Sequence, residues 1–437
     1  MNGRSTESRE ESVDEFRRQA RSTGLTLPTR HRVRLSEVAA IVAVILLISV
    51  GVGVTTGWMN LRPPGPAVPG LFGPQSCAGQ AGQRVDLQGS IPADAGPTLA
   101  ESWSAMTADF LTSYGNCVRI GYSSGTGITG LEELASRTVS LAVLQSAPTP
   151  GELGQLPDLT YIVPIGLTSV TIVYNLPGLA GALNLNGTVL AEIYSGAIRE
   201  WNDPALEALN PSIHLPQNLA ISVLSIDNAT PLNGMFSAFL SESSPSWNAS
   251  YGSGDTLAWP VGTGYDDAPA LVSALANQTG GIGYTETGLS LTANLAVADV
   301  ENPSGNLSAP TVPSVTAAAS GSINTTQVAG GNWTGDSLLN SAGNGSYPLS
   351  FLEYLVVYRD LGAAFGGNLS LVAAQWELTF LWWVLTDGGY VTSPWGFDQL
   401  PLPVVLAAQV LLQKVAYDGK SVLDTESGES GGETGEF

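Results

Sequence analysis

Short β-branched runs alternate with helix-length amphipathic segments along most of this chain. Residues 117–122, 159–164, 169–174 and 219–224 are rich in Val, Ile, Tyr and Thr and end at turn residues, so they predict strands. Apolar positions spaced three and four apart predict helices over 98–113, 129–137, 188–195, 232–242, 268–276, 371–386 and 402–416. Strands alternating with helices imply an α/β architecture with largely parallel sheets. The run 378–385 is very apolar, but it is short and flanked by Glu377 and Asp387, so it reads as a buried helix. Two stretches depart from the alternation. The 24 residues between Glu37 and Arg62 carry no charge and begin with an apolar run over 38–50. That is the length that crosses a bilayer as helix, and it predicts one transmembrane helix over 38–59. The stretch 296–346 is rich in Asn, Ser, Gly and Thr and reads as a long, polar, elaborated connection.

Charge gives the topology. The chain of 437 residues has a formal charge of −22, with 16 Lys plus Arg against 38 Asp plus Glu. Such a surface repels nucleic acid, and 43% hydrophobic residues exclude wholesale disorder. Two cysteines and two histidines cannot assemble a Cys/His zinc site of ordinary ligand count. Eight arginines lie within residues 1–37, whereas Arg62 is the one basic residue just beyond the apolar run. The positive-inside rule then puts residues 1–37 in the cytoplasm and the main domain outside the cell. A leader of 37 residues and an exit reading Thr55-Thr56-Gly57-Trp58 favour an uncleaved anchor over a cleaved signal. Clustered prolines make 60–84 a stiff, extended spacer, and 418–437 reads as an acidic, disordered tail. Nine Asn-x-Ser/Thr sequons suit an exterior glycoprotein. Cys77 and Cys117 are either one disulfide or two free thiols.

One loop stands out chemically. Gly121 to Gly130 follows a strand and opens a helix. Gly121-x-Ser123-x-Gly125 has the form of a nucleophile elbow, but the one histidine outside the membrane, His214, lies in a turn, and a triad is not supported. Gly125-x-Gly127-x-x-Gly130 has the form of a dinucleotide fingerprint without its acidic partner, and no cofactor is expected. Hydroxyls and backbone N–H groups at a helix N-terminus instead form a cradle for a small anion, or an ordinary glycine-rich turn with hydroxyl caps.

The run 185–211, with Trp201-Asn202-Asp203-Pro204 at its centre, resembles the signature segment of the phosphate-binding proteins that serve ABC-type phosphate importers. The stretches 162–165 with 173–178, 259–262, 281–284 and 347–350 follow in that family's order. The resemblance implies a type II periplasmic-binding-protein fold over 85–417, with two α/β lobes joined by hinge strands. Lobe 1 would combine about 85–163 with 347–417, and lobe 2 would cover about 164–300. It also implies no enzyme activity, an ABC permease as partner, and a small anionic or polar solute held between the lobes. Ser123, Ser124, Gly125 and Thr126 match one of the family's anion-holding loops. Other positions depart from the pattern. Ser146 stands in the turn where the family has an aspartate. The loop 225–231 keeps Asp227 but carries Asn228 and Thr230 in place of an arginine-bearing, glycine-rich grip. An anion held by neutral dipoles alone is held weakly. The leading expectation is thus a membrane-tethered extracellular receptor for phosphate or a related oxyanion. The alternative is a degenerate relative of the fold with a surface interaction or structural role.

Overall fold

The computed structural model describes residue 72 and residues 85–92, 97–115, 118–125, 127–323, 337–392, 396 and 398–423. All of them lie in the unit Pro66–Phe437. Cys77, Cys117, Thr126 and the transmembrane helix expected at 38–59 fall outside the described residues. Among the described residues no helix is long and apolar enough to cross a membrane.

In chain order the strands are β1 (Val85–Pro92), β2 (Val118–Gly125), β3 (Leu141–Leu144), β4 (Thr160–Asn175), β5 (Asn184–Leu185), β6 (Ser222–Ile226), β7 (Thr263–Tyr265), β8 (Gly281–Glu286), β9 (Ala296–Val297), β10 (Asp299–Glu301), β11 (Leu307–Ser308), β12 (Ser350–Tyr358), β13 (Ala416–Tyr417) and β14 (Lys420–Ser421). The main sheet runs β2-β1-β3-β12-β4-β8-β6-β7, with β9 added on β4. β1, β2 and β3 are mutually parallel. β12 runs antiparallel to both β3 and β4, and β8 is antiparallel to β4 and parallel to β6. β6 and β7 are in turn parallel.

The strand β4 makes this one sheet of two halves. Nine of its first ten residues pair with β12, with Ile165 left over at a shift of register, its last six pair with β8, and the change of partner falls between Ser169 and Val170. Separate strands over 159–164 and 169–174 are the sequence expectation, whereas Thr160–Asn175 is continuous. Ile165 and Leu167 between the two runs are buried, and the pairing with β12 resumes at Gly166 after a shift of register at Ile165. The directions follow: β1, β2 and β3 run parallel to β4, so their carboxyl ends point toward the second half. β6, β7 and β8 run the other way, so their carboxyl ends point back. In open α/β sheets such ends are where ligands sit.

Local rules explain the helices that flank these ends. Thr230, Asp267, Asp203 and Asn186 each accept a backbone N–H from the first turn of the helix that follows, and the first three are followed by proline at the helix start. The most family-specific motif is therefore a fold device: Asp203 caps the helix Pro204–Leu209, and the fully buried Trp201 donates its indole N–H to Gly280 O at 3.0 Å. The apolar helix Leu371–Trp383 has ten buried residues and continues as a π-helical turn, Val384–Gly388, where an α-helix to 386 is expected.

Three expectations from composition need correction. The polar connection at 296–346 includes β9, β10, β11 and the helix Val312–Ser322, because Asn302 donates to Gly343 O and Ser346 O and ties its two ends together. The acidic tail begins as the hairpin of β13 and β14, held where the Asp360 carboxylate accepts the N–H groups of Asp418 and Gly419; the helix expected to reach 416 stops at Gln413. The spacer is docked at one point at least. Phe72 stacks on Trp376 with ring centroids 4.1 Å apart, and its N–H donates to Thr379 Oγ1 at 3.2 Å. Phe72→Ala should lower stability by about 1–2 kcal/mol and shift the tryptophan emission, read by thermal denaturation followed by fluorescence. Unchanged melting and emission would mean that the spacer leaves this seat.

Candidate functional site

Most of the sequence-picked residues lie at or just beyond the carboxyl ends of strands from the two halves. Ser123, Ser124 and Gly125 close β2, in register with Ser90, Ile91 and Pro92 of β1. Ser123 donates its hydroxyl to the Glu133 carboxylate of the following helix at 2.5 Å. Ser146 lies exposed just beyond β3. From the other half come Asp227 and Asn228, both exposed beyond β6, and the buried Thr230.

The loop after β6 is built to stay in place. Asn233 is fully buried, and its Nδ2 donates to Ile226 O, Asn228 O and Asp255 O at 3.0, 3.1 and 3.2 Å. Its Oδ1 accepts the hydroxyl of Tyr284, which itself accepts the Ile226 N–H at 3.1 Å. Burial pushes that Tyr284 hydroxyl far above the ordinary tyrosine range. A Cβ on Gly264 would meet the Asp227 carboxylate, so a larger residue there would push that exposed side chain aside.

The same order uses up donors that an anion would want. Asp227 N–H goes to Tyr265 O, Thr230 N–H to Asp255 O, Leu232 N–H to Thr230 Oγ1 and Asn233 N–H to Thr230 O. Pro231 has no N–H to give. Asn228 turns its amide onto Asp266 O at 2.9 Å. Thr230 thus acts as a helix cap, and the helix N-terminus it covers is satisfied from within. Four sequon amides are similarly engaged: that of Asn228, that of Asn186, which caps Val189 and donates to Glu301, and those of Asn277 and Asn306, which donate to Ser273 O and Ser304 O.

Acids outnumber bases here. Asp255 is held above the usual carboxyl range, first by desolvation and then by Glu152, which belongs to the short helix after β3 in the other half. Deeper lie Glu286 at the end of β8, Glu353 in β12 and Gln145 after β3, all buried. Gln145 Nε2 donates to Glu286 Oε1 at 3.3 Å and so joins the two halves. All six described Arg and Lys residues, Arg119, Arg137, Arg199, Arg359, Lys414 and Lys420, are exposed. None of the deep trio is among the candidates picked from sequence. The available signal was a lone charge inside the apolar run of β12, Glu353. A cavity of about 510 Å³ lies elsewhere, lined by Ile193, Arg199, Ser222, Val261 and Thr263 near the amino ends of β6 and β7.

Comparison with known proteins agrees with the topology. Residues 90–387 match the family model of the PBP superfamily domain. The phosphate-binding protein PstS of Haemophilus influenzae is 30% identical over 296 residues, covering 68% of this chain and 84% of its own length. PstS of Xylella fastidiosa is 26% identical over 323 residues, covering 71% and 80%. Among solved structures, a human phosphate binding apolipoprotein superposes with a TM-score of 0.55 at 18% identity, covering 74% of this chain and 93% of that one. A high affinity periplasmic phosphate-binding protein bound with phosphate, PfluDING, gives 0.53 at 16% identity, covering 74% and 92%.

Proposed function

This chain belongs to the PBP superfamily, and on that premise we propose that it is the solute-binding component of an ABC importer, taking phosphate or a related oxyanion between two lobes. It is a binding protein and not an enzyme. The lobes are the two halves of the main sheet, hinged where β4 changes partner between Ser169 and Val170. The observation that carries the reading is the convergence of the carboxyl ends of β1, β2, β3, β6, β7 and β8 on one region in a chain 30% identical to a phosphate-binding protein. We place this domain outside the cell, held by the apolar segment at 38–59 and facing a permease in the same membrane.

The candidate ligand groups are Ser123, Ser124, Gly125, Thr126 and Ser146 on one side and Asp227, Asn228 and Thr230 on the other. With Asp227 present and no guanidinium among them, the grip rests on neutral donors, and phosphate affinity is expected in the range of about 10⁻⁵–10⁻³ M. Calorimetry of the full chain in detergent with phosphate, arsenate and sulfate tests this. Heat on mixing with phosphate supports it. Absence of heat and of any thermal shift with all three favours the second reading, a relative of the fold that serves as a surface interaction or structural protein. The internally satisfied loop 227–233 is the observation on its side.

A further inference from the structure

The cavity of about 510 Å³ at the amino ends of β6 and β7 belongs to neither set of candidate ligand groups. Its size is that of a small-molecule site. β6 is five residues long and spans about 16 Å at the usual strand rise, so Ser222 in the cavity wall and Asp227 on the loop lie at opposite ends of that strand. The run 185–211, which carries the family resemblance, supplies another part of the wall through Ile193, Gly196, Ile198 and Arg199.

Arg199 is held at its root and left open at its tip. Its carbonyl accepts the Ile221 N–H at 2.8 Å, the Trp201 N–H reaches Leu219 O at 3.0 Å, and Glu200 forms an isolated bridge with Ala220. The guanidinium Nε donates to Gly196 O at 2.7 Å, which is its one side-chain hydrogen bond among the described residues. Gly196 sits at a φ of 78°, and a Cβ there would meet Val261 Cγ1 at 2.8 Å, so glycine lets this turn close against Val261. The ion pairs of the described residues use Arg119 and Arg137, and none uses Arg199.

None of the residues lining the cavity is acidic, in a chain whose formal charge is −22. A lone guanidinium in such a wall selects an anion. With both Nη groups open it offers the paired N–H donors that fit a carboxylate side on. Ile198, Ile221 and Val261 add aliphatic surface to the same wall, which a hydrocarbon body covers and a bare inorganic ion does not. Ser222 Oγ accepts Gln278 Nε2 at 3.1 Å, and its own O–H remains as a further donor. One positive charge matches one negative charge, whereas a dianion would bring uncompensated charge into an acidic protein.

We propose that this cavity is a second ligand site, which takes a small aliphatic monocarboxylate with its carboxylate on Arg199 and its hydrocarbon body against Ile198, Ile221 and Val261. None of these residues is a candidate phosphate ligand, so the site stands whether or not the solute reading does. Arg199 is exposed, and water and salt screen its charge. The affinity is therefore modest, about 10⁻⁴–10⁻³ M, and falls as ionic strength rises.

The probe is isocaproate, a branched six-carbon acid, read by saturation-transfer NMR with the full chain in non-ionic detergent. Its signal should saturate in that range, and Arg199→Gln should weaken binding at least about tenfold, the loss of one charge-assisted bond. Isocaproamide, which lacks the charge, and acetate, which lacks the body, should each bind at least about tenfold more weakly than isocaproate. Thr263→Phe, at an exposed position of the cavity wall, should block the cavity and remove the signal, which keeps the test open should the first variant disturb the turn. Binding that is unchanged in either variant overturns the proposal, and so does equal binding of acid and amide. Displacement of isocaproate by an equal concentration of phosphate overturns it as well, since the cavity would then be a site for inorganic anions.

Discussion

Replacing Asn233 by alanine should destabilise the protein by about 3–5 kcal/mol and remove solute binding with it. One buried amide satisfies Ile226 O, Asn228 O and Asp255 O and accepts the Tyr284 hydroxyl. Truncation strips Ile226 O and the Tyr284 hydroxyl of this partner in the buried interior, while Asp255 O keeps the Thr230 N–H, and each buried group so stranded costs about 1–3 kcal/mol. The loss is local in origin. The loop carrying Asp227 and Asn228 is pinned to the start of the helix Pro231–Ser243 by this side chain, so freeing it moves both candidate ligand residues. Urea unfolding gives the first number and calorimetry the second. Tyr284→Phe removes one hydroxyl from the same network and should cost about 1–1.5 kcal/mol. If Asn233→Ala unfolds within 1 kcal/mol of the parent, the loop is held by something else.

The network also explains what a linear reading can and cannot reach. Strand and helix positions were legible where local chemistry decides them: Asp203 before Pro204, Thr230 before Pro231 and the Val/Ile runs of β4 and β6 all act over a few residues. The candidate loops were legible through family order. Their state was not, because Thr230 reads equally as an anion ligand or as a cap, and what the fold adds is the Leu232 N–H that its hydroxyl accepts at 3.4 Å. Gln145 and Glu286 are 141 positions apart and meet only through the pairing of β3, β12, β4 and β8. No periodicity announces such a contact. What the sequence did carry was the oddity of a single acid in an apolar run, twice over, at Glu353 and at Glu377.

Glu377 gives the other large effect, and it depends on pH. The residue is fully buried on the helix Leu371–Trp383, neither of its carboxyl oxygens has a hydrogen-bond partner among the described residues, and burial pushes the carboxyl up to about 7. In the unfolded chain the same group titrates near about 4.3. Between those values the folded state keeps a proton that the unfolded state has released, so stability falls as pH rises across that window. Below it the group is neutral in both states, and its contribution is whole. Above about 7 a charge must sit in the apolar interior, a loss of about 4 kcal/mol for a gap of this size. Glu377→Gln keeps the shape and removes the titration. The variant should match the parent at pH 4 and exceed it by about 4 kcal/mol at pH 8, read by urea unfolding at both. The difference between the two proteins isolates this group from Glu353 and from the repulsion of the acidic surface, since both proteins share those. A gap that stays constant from pH 4 to pH 8 would show that Glu377 is ionised, or neutral, throughout.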